Sequence, residues 1–217
     1  MPMNSFILQT FNGISYAALL FLLASGFTLT FGLMRIVNMA HGAYYLLGGY
    51  IGLSVAKATG NFGFALVAGG VAAALLGFIA DKVLIKRAGD NHLSQVLITV
   101  GLAYVVGDVT LKIWGGDALK LPVPIWLRGV VELPGGIVYP IFRFFLTAIG
   151  VIVALLLWLL YRKTQIGAAI RAGVDDREMV SATGIHVDRL FVIVSALASF
   201  LAGFSGVLGG AFLTVYP

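Results

Sequence analysis

The feature that most constrains this chain is a succession of long apolar runs. Several reach the roughly 18–20 residues that cross a hydrocarbon core, as in Phe62–Ala80 and Ile141–Tyr161. A β-barrel would instead show alternating segments of about ten residues. These runs are continuous, so the chain is expected to be all-α, a polytopic helical membrane protein. Composition agrees, with 60% hydrophobic and 11% charged residues, against about 25% charged in soluble globular domains.

Six spans are expected, at about 11–33, 36–56, 62–80, 93–114, 141–161 and 190–213, forming one transmembrane domain over 1–217. Asp81 and Lys82 bound the third span, and the stretch to His92, with Lys86 and Arg87, reads as a loop. Residues 115–140 carry four of the six prolines, Pro122, Pro124, Pro134 and Pro140, and read as an irregular or interfacial segment outside the membrane. Much of the chain's complement of 28 glycines lies inside apolar runs, where small residues let helix backbones approach. Gly203, Gly206, Gly209 and Gly210 form such a seam. No basic residue precedes Arg35, so the start lacks the charged region of a cleaved signal peptide.

Lysine and arginine set the orientation. One side collects nine of them, Arg35, Lys82, Lys86, Arg87, Arg162, Lys163, Arg171, Arg177 and Arg189, and the other five, Lys57, Lys112, Lys120, Arg128 and Arg143. The richer side is expected to be cytoplasmic, with the N-terminus outside. The net charge of +5 is therefore a topology signal and gives no reason to expect a nucleic-acid partner. With no cysteine, thiol catalysis and disulfides are excluded. The three histidines, His41, His92 and His186, are scattered over different segments, so no metal site, cofactor site or catalytic constellation is expected. No GxxxxGK[ST] phosphate loop occurs.

Between the last two apolar runs lies a polar interlude, Arg162–Arg189. Asp175 can cap a helix N-terminus with Glu178 as its capping-box partner, and Gly184 is a natural stop. Ala172, Met179 and Ala182 can share a small apolar face, leaving Asp176, Arg177 and Ser181 elsewhere. Two accounts stand: one amphipathic turn in an ordinary loop, or a compact element that docks a partner.

Two stretches together resemble one family. GLMRIVNMAHGAYYLLGGYIG, residues 32–52, and RAGVDDREMVSATGI, residues 171–185, are similar to motifs of the membrane permease subunits of bacterial branched-chain amino-acid ABC importers. The resemblance extends over essentially the whole chain. It implies a non-catalytic, multi-pass subunit in the bacterial inner membrane, surrounded by membrane lipid. It also implies a second homologous permease, two ATP-binding subunits that hydrolyse ATP, and a periplasmic substrate-binding protein. The docking helix would fall on Asp175–Thr183 within a coupling loop over 162–189, and the docking residues would be Arg171, Ala172, Asp175, Asp176, Met179, Ala182, Gly184 and Ile185. Family members continue for further spans, so these residues would be a truncated version of a longer permease.

Asn38, His41 and Gly42 sit where the second segment enters the membrane. They either contribute to the translocation path at a broken helix entrance or satisfy backbone groups freed by nearby glycines. Asp108 is the ionisable group noted within a span, and an intrahelical pair with Lys112 is expected. Alternatives to branched-chain amino-acid import are a related ABC permease for urea, amides or other amino acids, and a self-sufficient secondary transporter or channel. The last would need paired intramembrane charges.

Overall fold

A computed structural model of the chain describes residues 3–34, 38–89, 91–133, 136–175, 179 and 187–216. Helix α1 runs over Met3–Met34, α2 over His41–Thr59 and α3 over Phe62–Ile79. The last continues through a π-helical stretch, Ala80–Ile85, and a 3-10 turn, Lys86–Ala88. Helix α4 covers His92–Trp114, α5 Ile141–Lys163, α6 Gln165–Asp175 and α7 Val187–Phe212. Asparagines set two of the starts. Asn61 Oδ1 accepts from the Gly63 and Phe64 N–H groups ahead of α3, and Asn91 Oδ1 accepts from Ser94 N–H ahead of α4, each satisfying N–H groups that a helix start leaves without partners. Gly60 ends α2 in the left-handed region, at φ 66°.

Among the described residues, five helical stretches are long and apolar enough to cross a membrane: 3–32, 62–88, 92–114, 141–163 and 189–212. The remaining expected span, the second, corresponds to α2, which begins at His41. Its 19 residues give about 28 Å of helix, enough to cross. Glycine, tyrosine, His41 and Lys57 keep it less apolar than the others. Its position accommodates this, because α2 packs against α3, α4 and α7 and so meets protein on several sides.

Helices α2, α3 and α7 form a central trio held backbone to backbone. A Cβ at Gly48 would overlap the Gly203 backbone, and one at Gly206 would overlap the Tyr45 carbonyl. A Cβ at Gly69 would lie 2.5 Å from the Gly48 carbonyl oxygen. The seam expected at Gly203–Gly210 is thus a real contact: Gly203 and Gly206 meet Gly69 and Ala73 of α3 and Tyr45 and Gly49 of α2, while Gly209 faces the Tyr45 ring and Gly210 faces Leu121 and Val215. In α7, 67% of the membrane-length window is buried, against 11% in α5. Helix α7 is therefore an axis of the fold, while α5 lies outside it against α1, where Gly150 meets Ala18.

The proline-rich segment closes one end. It contains a 3-10 turn at Ile125–Leu127 and a two-stranded antiparallel hairpin, β1 (Val130–Leu133) and β2 (Ile137–Pro140), with Val131 opposite Tyr139. Leu119 and Val215 exchange backbone hydrogen bonds of 2.8 and 2.7 Å, seating this segment on the end of α7. The Tyr139 hydroxyl lies 2.9 Å from Ser15 Oγ on α1. We call this the hairpin end; α6 lies at the other.

Candidate functional site

Toward the α6 end, the core changes from glycine to polar side chains. Helix α2 starts deep beside α1, without a side-chain cap on Ala40. The turn before it supplies local partners instead. Asn38 Oδ1 accepts from Ala40 N–H at 3.0 Å, and Thr99 Oγ1 of α4 accepts from Met39 N–H at 3.2 Å. His41 is buried and donates from Nε2 to the Leu23 carbonyl of α1 at 2.9 Å. Its ring stands edge-on to Phe27 and Tyr44. Gly26 makes room for this arrangement, since a Cβ there would lie 2.6 Å from the Ala198 carbonyl oxygen and 3.0 Å from His41 Cε1. Asn38 and His41 therefore come together and satisfy backbone groups, while Gly42 is exposed with open space around it.

The residue that sequence reasoning missed is Asp81. Its expected place was a loop edge. It instead lies in the π-helical continuation of α3, only 6% exposed, with the Ser195 hydroxyl of α7 donating to its carboxylate. A π-helical turn adds a residue to the helix and recurs at functional sites. The signal was present in Val83, Leu84 and Ile85, which resume the apolar run after the Asp-Lys pair. The Tyr44 hydroxyl, on a residue 1% exposed, lies beside Asn38 and within electrostatic reach of Asp81, yet makes no hydrogen bond of good geometry. Ser199, 1% exposed, fills the space left by Gly77 one turn further along α7. By contrast Asp108 and Lys112 are both exposed on α4, and the expected ion pair does not form.

At the α6 end the polar interlude opens with a helix not foreseen there. Thr164 caps α6, its Oγ1 accepting from Gly167 N–H at 3.0 Å. Gly167 lets α6 turn sharply against the Leu160 and Tyr161 carbonyls of α5. Ala169 and Ile170 bury their side chains with Leu190, Phe191 and Val194 of α7, and with Leu29 of α1 and Leu160 of α5. Helix α6 is thus clasped by three spans. Arg171 reaches back to the Tyr161 carbonyl and lies over its ring. Ala172 faces outward, and Met179 is helical and 67% exposed. Asp175 is the last residue of α6, and the helix that the sequence reading starts there falls, apart from Met179, outside the described residues. Asp176, Ala182, Gly184 and Ile185 lie outside the described residues.

Apolar membrane-length helices around a central trio with a buried polar layer define a multi-pass membrane protein. The chain belongs to the family described as branched-chain amino acid transport system / permease component, whose sequence model matches residues 9–217. It is similar to the high-affinity branched-chain amino acid transport system permease protein LivH of Salmonella typhimurium and of Escherichia coli. Each is 25% identical over 223 residues, covering 97% of this chain and 72% of the relative. The probable branched-chain amino acid transport permease protein LivH of Methanocaldococcus jannaschii is 28% identical over 203 residues, covering 89% of this chain and 62% of the relative. No solved structure matches the chain significantly.

Proposed function

We propose that this chain is the membrane permease subunit of an ABC importer for leucine, isoleucine and valine in the bacterial inner membrane, driven by separate ATPase subunits. The observation that supports this most is the family match over residues 9–217. In this reading the α6 end faces the cytoplasm, in keeping with Lys82, Lys86, Arg87, Arg162 and Lys163 on that side. An ATPase docks on the exposed side of α6 and on the segment after it, through Ala172, Met179 and the neighbouring residues 175–185. Movement of the ATPase then passes to α1, α5 and α7 through the side chains that clasp α6. The translocation path is shared with a second permease and passes the polar layer at Asn38 and His41. The substrate-binding protein docks at the hairpin end, where a groove of about 670 Å3 opens between the α2–α3 turn and residues 122–128.

The test is co-purification from membranes with candidate ATPases, followed by ATP-driven uptake of labelled leucine in proteoliposomes. Ala172→Glu with Met179→Glu places charge on two exposed positions. The pair is expected to abolish ATPase capture while leaving the permease monodisperse. If wild type captures no ATPase and leucine uptake is independent of ATP, the importer reading falls and a self-sufficient transporter replaces it.

A further inference from the structure

Burying a carboxylate between membrane helices is costly unless a counter-charge or several hydrogen bonds offset it. Asp81 has the Ser195 hydroxyl and, among the described residues, no ion-pair partner. The neighbouring lysine, Lys82, lies 5.7 Å from the centroid of the Phe78 ring. The carboxylate is held in a π-helical distortion that continues α3 and packs against α4 and α7. On α2 the Tyr44 hydroxyl is buried next to Asn38 and within electrostatic reach of Asp81, without a hydrogen bond of good geometry. The Asp81 carboxylate, hydrogen-bonded to Ser195 Oγ, and Tyr44 Oη, within electrostatic reach of it, thus place three oxygen-bearing groups from three packed helices in one buried polar layer.

A primary ammonium group carries three N–H donors and one positive charge. We propose that Asp81, with Ser195 and Tyr44, forms an intramembrane site for a primary alkylammonium group, the amino end of the amino acid on its way through the permease. The proposal rests on the amino-acid transport reading for the identity of the ligand, but the site's preference for a cationic ammonium follows from its own chemistry. No bond is made or broken. The ammonium replaces its water with the carboxylate and the two hydroxyls, and its charge offsets that of Asp81 while it is bound. Specificity for the side chain belongs to other groups; Asp81 reads the charged end.

The experiment measures thermal stabilisation of the purified permease, in complex with its partner subunits, by isoamylammonium chloride and by sodium isocaproate at equal ionic strength. The first probe keeps the branched chain and the ammonium group. The second keeps the branched chain and carries a carboxylate instead. Wild type is expected to respond to the ammonium probe and not to the carboxylate. Asp81→Asn retains the shape and a hydrogen bond to Ser195, and is expected to weaken the ammonium response roughly ten- to a hundred-fold, the worth of a charge-assisted hydrogen bond. Should Asp81→Asn fail to fold, Tyr44→Phe and Ser195→Ala carry the test, each expected to weaken the response about three- to tenfold. An equal wild-type response to both probes overturns the proposal, as does an unchanged ammonium response in Asp81→Asn or in both hydroxyl variants. ATP-driven leucine uptake in the same preparations separates the two readings. Uptake that persists at wild-type KM in Asp81→Asn removes the ammonium site and leaves the importer standing. Ammonium binding without ATP-dependent uptake does the reverse.

Discussion

The two halves of the central trio are built on different principles. Toward the hairpin end, α2, α3 and α7 touch through glycine, and the contacts at Gly48, Gly69, Gly203 and Gly206 involve backbone atoms that cannot rotate away. Toward the α6 end, α3 and α7 meet through polar side chains, Asp81 with Ser195 and Ser199 in the space left by Gly77, with Tyr44 of α2 buried close by. Backbone packing of the first kind fixes a spacing and tolerates no sliding. Side-chain hydrogen bonds of the second kind can exchange partners at modest cost. The hairpin half therefore acts as the fixed part of the trio and the α6 half as the part that can rearrange, and the α6 half is the one joined to the element proposed to receive the ATPase.

The sharpest way to break this contrast is Gly203→Val. Its Cβ would overlap Ala73 and lie 2.5 Å from the Gly69 carbonyl oxygen, so a loss of at least about 3 kcal/mol is expected, seen as an absent monodisperse peak in size-exclusion chromatography. Gly77→Ala probes the other half. Its Cβ would overlap Ser199 Oγ and lie 2.6 Å from Ser199 Cβ, while the nearest α7 backbone atom, the Ser195 carbonyl oxygen, is 3.8 Å away, so a cost of about 1–3 kcal/mol is expected. Ser199→Gly in the same chain should recover part of it, a coupling readable from the melting temperatures of the double-mutant cycle. If Gly77→Ala proves as damaging as Gly203→Val, the two halves are equally rigid and the contrast fails. The smallest effect is expected at Gly101 on α4, which has open space where a Cβ would stand. Gly101→Ala should shift stability by within about 0.5 kcal/mol, toward the stable side. A large loss there would show that this face of α4 is packed against a partner.

The spans were legible because lipid demands long apolar runs, and α3 and α4 start within a residue of where those runs begin. The glycine seam on α7 was legible as close packing, but not its partners, because Gly48 and Gly203 are separated by most of the chain. The hairpin was hidden for the same reason, since the proline-rich composition announces irregular structure without fixing which residues pair. Asp81 was misplaced because a charged pair after an apolar run looks like its end, and only the buried face of the next turn reveals that it is not. Helix α6 was missed because Gln165–Asp175 is amphipathic over too few residues to stand out. Its cap, Thr164, drew no notice beside the more conspicuous Asp175 at its other end. Asn38 and His41 drew notice because polar side chains at the head of an apolar run are rare, and both bond backbone groups, as one of their two accounts expects.

The low hydropathy of α2 also bears on how the protein is made. A helix that leaves the insertion machinery alone is judged on its own side chains, and this one, with His41, Lys57 and three tyrosines, is the poorest candidate to settle in lipid by itself. Its neighbours α1 and α3 are strongly apolar and flank it in sequence. Helix α2 must therefore enter the bilayer in company, held at the exit until α3 has emerged to cover its glycine face. The centre of the finished protein is then the part whose insertion depends on what is synthesised after it.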